Sequence, residues 1–127
     1  IQVGYRGYTE GKLAEDERFR ENIQQALKYK MKVGVYFFSQ AMDEQEAREE
    51  ARFVLDKISG YQLAYPVFFD WEKIGADARS DAMDLTTDGQ NQREYRDRVC
   101  RCLLQDHCGR RLSASHLLQW DAGLFQL

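Results

Sequence analysis

The stretch that most constrains this chain is Tyr65-Pro66-Val67-Phe68-Phe69-Asp70-Trp71-Glu72, an apolar, β-favouring run that ends in two carboxylates. On a strand, side chains alternate between faces, so Asp70 and Glu72 point one way and Trp71 the other. The Cα atoms of the two acids then lie ~6.6 Å apart at ~3.3 Å rise per residue, within reach of one substrate bond. Two carboxyl groups in one cleft repel, which raises the pKa of one and keeps it protonated as a general acid. Glycoside hydrolysis needs such a pair. The plainer reading is an acidic strand end meeting solvent. The apolar run before it weighs against this, because it buries the strand and delivers both acids to its end.

Length and charge narrow the remaining choices. At 127 residues, 43% of them hydrophobic and 13% aromatic, the chain can bury one modest core and forms one domain or part of one. Its net charge of −3 comes from mixed charges and not a block, so nucleic acid is not an expected partner. No apolar run approaches the ~20 residues of a membrane span, so no membrane partner is expected either. Nothing in the sequence calls for an obligate protein partner. The chain opens on Ile1-Gln2-Val3-Gly4-Tyr5, which reads as a strand, with no initiator Met and no signal in view, as for a chain starting partway into a domain. Cysteines number three, an odd count, all between Cys100 and Cys108, and indicate no disulfide framework.

Taken in order, Ile1 to Tyr5 is followed by a Gly-rich turn through Arg6-Gly7-Tyr8 and Gly11. Asp16 to Lys30 reads as a helix, with Phe19, Ile23, Ala26 and Leu27 at helical spacing. Lys32 to Ser39 is a β-branched and aromatic run of buried-strand type. Asp43 to Ser59 is a second helix, acidic at its start, with Ala47, Ala51, Val54, Leu55 and Ile58 as the apolar stripe and Gly60 as its stop. With the Tyr65 to Glu72 strand this makes β-α-β-α-β, the pattern of an α/β parallel sheet or barrel. Lys73 to Asn91 reads as a loop in which Arg79 is expected to be solvated, with pairing to a carboxylate or substrate oxygen as the alternative.

In such folds functional groups collect at the carboxyl ends of strands. Three strand ends fit that rule: Tyr5-Arg6, Tyr36 to Ser39, and Asp70 to Glu72. Aromatic rings near carboxylates suit a sugar, whose faces offer C–H surface and whose edges offer hydroxyls. Phe37 is expected in the core.

These residues bear a family resemblance. Gly4-Tyr5-Arg6-Gly7-Tyr8, then Asp16-x-x-Phe19-x-x-Asn22, Val33 to Phe38, and Tyr65-Pro66-Val67 leading to Asp70-x-Glu72 resemble family 25 glycoside hydrolases, the Chalaropsis-type lysozymes, over residues 1 to about 91. The resemblance implies an incomplete (β/α) barrel of TIM-barrel-like type, parallel strands alternating with helices. It also implies cleavage of the β-1,4 bond between N-acetylmuramic acid and N-acetylglucosamine, with peptidoglycan glycan strands as partner and no cofactor or metal. By its match to the family motif, Glu72 is the general acid. Asp70 is its partner carboxylate, which either stabilises charge developing on the sugar or orients the 2-acetamido group for internal attack. Tyr36 and Phe38 match the aromatic floor of the cleft, and Tyr5 and Arg6 are further substrate-binding candidates. The full-length form is expected to act outside the cell or on the cell wall. Family 18 chitinases also end a strand in Asp-Trp-Glu, but carry further aspartates upstream where this chain has Phe68 and Pro66.

The chain departs from the family in lacking a preceding strand with another functional aspartate and the later strands of the barrel. Residues 1–91 therefore read as a partial catalytic domain and 92–127 as an atypical tail. The tail holds six arginines and no lysine, both histidines and all the cysteines, whereas residues 1–91 have six of each base and neither His nor Cys. Metal binding by Cys100, Cys102, His107, Cys108 and His116 fits no standard zinc spacing. A shifted reading frame is the second explanation. Leu117-Leu118-Gln119-Trp120 can be encoded CTA CTA CAA TGG, which read one nucleotide later gives Tyr-Tyr-Asn, and a permitted codon choice extending the shift from Cys108 yields a Gly-Tyr-x-Pro strand of the family type. Two rivals to an active enzyme remain: an inactive glycan-binding fragment, and a remnant with neither binding nor fold.

Overall fold

The computed structural model describes residues 1–71 and 79. Expectations that fall on Glu72, on the rest of the loop to Asn91 and on the tail 92–127 with its cysteines and histidines lie outside the described residues. Six elements follow in chain order: β1 (Gln2–Arg6), β2 (Leu13–Glu15), α1 (Phe19–Lys28), β3 (Val35–Ser39), α2 (Glu44–Ile58) and β4 (Val67–Trp71). They form one sheet in the order β2-β1-β3-β4, with β1, β3 and β4 parallel to one another.

The expectation of parallel strands alone is corrected at the sheet edge, where β2 runs antiparallel to β1. The turn at Gly7 to Lys12 is a hairpin, closed by Gly7 N–H to Lys12 O at 2.9 Å and Gly11 N–H to Gly7 O at 3.0 Å. At Gly4, opposite Glu15, a β-carbon would collide with the Ala14 carbonyl, so only glycine permits this approach. The hairpin also explains why α1 starts at Phe19 and not Asp16. The Asp16 amide extends the β1–β2 pairing by donating to Val3 O at 3.0 Å, and its side chain accepts from Arg18 N at 2.9 Å.

α1 ends two residues earlier than its apolar spacing suggests. Lys30 N–H donates to Leu27 O and Met31 N–H to Ala26 O, both at 2.9 Å, a Schellman stop with Lys30 at the left-handed position, φ 57°. β3 is shorter than its sequence run because Val33 O turns aside to accept from the amides of Ala64 and Tyr65. α2 matches its expected span closely. Asp43 caps it by accepting from Glu46 N at 2.8 Å, and Glu46 reaches back to accept from Met42 N at 2.8 Å.

Both helices pack on one face of the sheet. Val3, Val35, Phe37 and Val67 meet Phe19 and Ile23 of α1 and Val54 and Ile58 of α2 in the core. Phe37 is fully buried, as expected, with Phe53 and Phe69 at ring-centroid distances of 5.9 and 5.8 Å. Towards the carboxyl end of β3, Ala41, Ala47 and Ala51 form a smaller cluster that lets the first half of α2 lie close to the sheet. A doubly wound sheet would carry helices on both faces. The arrangement seen, a mixed sheet with crossover helices on one side, is consistent with a partial β/α fold.

Candidate functional site

The parallel pairing brings the carboxyl ends of β1, β3 and β4 together. Tyr5 is in register with Phe38, and Phe38 with Asp70, so these three residues form a row across the sheet. In parallel strands residues in register share a face, and neighbouring strands lie ~4.8 Å apart, so the row is ~10 Å long. One step towards the amino ends, Gln2, Tyr36 and Phe68 form a second row on the same face, where the Tyr36 hydroxyl lies 3.3 Å from Gln2 Oε1 as donor. This is the face away from the helices. Tyr5 and Phe68 are 42% and 41% exposed, whereas Tyr36, Phe38 and Asp70 are half-buried. The result is an aromatic surface with a carboxylate at one end, suited to a sugar ring lying flat with a hydroxyl or acetamide directed at the acid.

Five of the six residues singled out from the sequence are described, and four of them share this face: Tyr5, Tyr36, Phe38 and Asp70. Glu72 lies outside the described residues. Arg6, expected to bind substrate, is sent by alternation along β1 to the helix side of the sheet, where it is 4% exposed. Its Nε donates to Glu50 Oε1 at 2.8 Å, Nη1 to Gly11 O at 2.7 Å, and Nη2 to Glu46 O at 3.0 Å and Glu49 Oε2 at 3.2 Å. With its donors committed to protein acceptors, Arg6 supports the strand end and does not face the aromatic rows. Burial alone would lower its pKa, but Glu50, Glu49 and Glu46 together raise it, so it stays charged.

Beneath the rows sits a polar cluster that sequence reasoning missed. Glu50 is fully buried, and its Oε2 accepts from Ser39 Oγ at 2.6 Å. A signal for it existed: Glu50 falls between Ala47, Ala51 and Val54 on the apolar stripe of α2, where a carboxylate must find partners. Arg79, expected to be solvated, instead joins this neighbourhood. Its backbone N–H donates to Tyr8 O at 2.9 Å, and its guanidinium lies over Gly11 and pairs with Glu46. Among the described residues no group of three or more His, Cys, Asp or Glu side chains is placed to hold a metal ion, and no helix is long and apolar enough to cross a membrane.

The sequence profile of glycosyl hydrolases family 25 matches residues 1–110, a span that crosses the change in composition near residue 92. No curated protein sequence matches the chain. Two solved structures of the modular autolysin LytC from Streptococcus pneumoniae, one of them in complex with a synthetic peptidoglycan ligand, are similar in fold. In each the identity is 22% and the TM-score 0.57, and the match covers 83% of this chain and 23% of LytC, so the chain spans about a quarter of that protein's length. With residues 1–110, most of its length, matched by the family profile, the chain belongs to glycosyl hydrolases family 25.

Proposed function

We propose that this chain is part of a muramidase catalytic domain, which cleaves the β-1,4 bond between N-acetylmuramic acid and N-acetylglucosamine in peptidoglycan. The observation that carries the reading is the row Tyr5–Phe38–Asp70 at the carboxyl ends of three parallel strands, the place where β/α folds hold their chemistry. A sugar ring resting on Phe38, with Tyr36 and Tyr5 beside it, has its glycosidic bond over the end of β4. Glu72 follows two residues after Asp70 and acts as the general acid that protonates the leaving oxygen. Asp70 stabilises positive charge developing at the sugar or orients the 2-acetamido group for internal attack. Further strands close the sheet into a barrel around these rows in the full-length protein, which works at the cell wall. The peptidoglycan ligand bound to LytC supports a glycan as the substrate class.

The test is an assay of new reducing ends on purified peptidoglycan. Replacing the acid in Glu72→Gln lowers turnover by about 10²–10⁴-fold, the usual contribution of general acid catalysis. Asp70→Asn lowers turnover with little change in glycan retention. Equal activity in the wild-type chain and Glu72→Gln would remove Glu72 from the mechanism. Retention on peptidoglycan with no products from any form would identify a glycan-binding fragment instead.

A further inference from the structure

We infer that Glu50 is a positioning residue for the candidate site: its one buried carboxyl group levels the carboxyl ends of β1 and β3 so that Tyr5 and Phe38 stand in one row with Asp70. The functional consequence rests on the glycan-cleaving reading above, whereas the alignment itself does not. Glu50 Oε1 accepts from Arg6 Nε at 2.8 Å and lies 3.4 Å from the Gln40 amide, and Oε2 accepts from Ser39 Oγ at 2.6 Å. Arg6 is the residue after Tyr5, and Ser39 is the residue after Phe38. Alternation therefore puts the aromatic row on one face and its tie on the other. Ser39 is itself in register with Trp71, the residue after Asp70.

The ladder alone does not set this alignment. Pairing of β1 with β3 shifts between Gln2, opposite Tyr36, and Gly4, opposite Phe37. Past such an irregularity a slip of one residue would turn Tyr5 to the helix side and Arg6 to the open face. The Arg6–Glu50 contact lies beyond the irregularity and secures the register where Tyr5 is presented. Arg6 extends the tie to the β1–β2 hairpin through Gly11 O and to α2 through Glu46 O. A cluster that served stability alone would need no connection to both strand ends, and well-packed apolar residues often serve at least as well as a buried ion pair.

The test is residue-resolved amide hydrogen exchange on the whole chain, in the wild type, Glu50→Gln, Glu50→Ala and Ser39→Ala. Removing the carboxylate that joins Arg6 Nε to Ser39 Oγ in Glu50→Ala accelerates exchange at the ends of β1 and β3 by about tenfold relative to Ile23 in α1 and Val54 in α2. Glu50→Gln keeps an acceptor for Arg6 and a polar partner for Ser39, and stays within about threefold of the wild type. Ser39→Ala removes one tie and gives the same local pattern if Glu50→Ala does not fold. Uniform acceleration throughout the molecule, or none at the strand ends, would overturn the inference. Titration with a β-1,4-linked N-acetylhexosamine oligosaccharide supplies the functional arm, in which Glu50→Ala binds about tenfold more weakly, equivalent to ~1.4 kcal/mol, and Glu50→Gln restores binding. A wild-type chain that ignores the oligosaccharide would count against the glycan reading, with the exchange pattern still deciding the alignment.

Discussion

Burial pushes the Glu50 carboxyl up from 4.5 to about 7, against the downward pull of Ser39, Arg6 and the Gln40 amide. Between those two values the folded chain holds a proton that the unfolded chain has released, so stability falls as pH rises. The contribution is fully present below about 4.5 and is lost as pH passes through about 7. Glu50→Gln keeps a neutral side chain at every pH and removes this slope. We expect the stability of the wild type relative to Glu50→Gln to decline by up to about 3 kcal/mol between pH 4.5 and 8, at ~1.4 kcal/mol per pH unit, in urea titrations across that range. A flat difference would show that Arg6 holds Glu50 ionised throughout. In the sequence, the place of Glu50 on the apolar stripe of α2 was legible. Its partners were not, because Arg6 lies 44 residues away and meets it only through packing.

At the scale of elements, the helix ends carry the clearest consequences. Lys30 occupies a left-handed conformation, φ 57°, that costs a side chain ~1–2 kcal/mol and glycine little. Lys30→Gly is expected to stabilise the chain by ~0.5–1 kcal/mol, after glycine's greater freedom in the unfolded state is offset, read as a raised urea midpoint at unchanged slope. Asp43→Ala removes the cap of α2, leaves the Glu46 amide without its acceptor, and is expected to destabilise by ~1 kcal/mol in the same titration. The existence and type of α1 and α2 were readable from apolar spacing of three to four residues, and of β1, β3 and β4 from short β-favouring runs, because both are local properties. β2 was not, since three residues carry too little pattern and its strand character comes from pairing with β1. The late start and early end of α1 were equally hidden, being set by the hydrogen bonds of Asp16 to Val3 and of Met31 to Ala26.

Across the whole molecule, one face of the sheet is covered by both helices, whereas the other shows Tyr5 and Phe68 to solvent beside Tyr36 and Phe38. An apolar sheet face of this kind drives association when it is left uncovered. We expect the isolated chain to self-associate with rising concentration in sedimentation velocity, and Phe68→Asp to shift it towards monomer. A wild-type chain that sediments as a monomer at every concentration would exclude this. The alternation of β1, α1, β3, α2 and β4, the core stripe of each helix and the acidic end of β4 were determined by the sequence itself, because periodicity and residue type act over a few neighbours. The tertiary structure alone decided that Tyr5, Phe38 and Asp70 share a row, that Arg6 turns away from it, and that Glu50 ties two strand ends. Strand register and the partner of a buried charge depend on residues tens of positions apart, and those meet only when the sheet and helices pack.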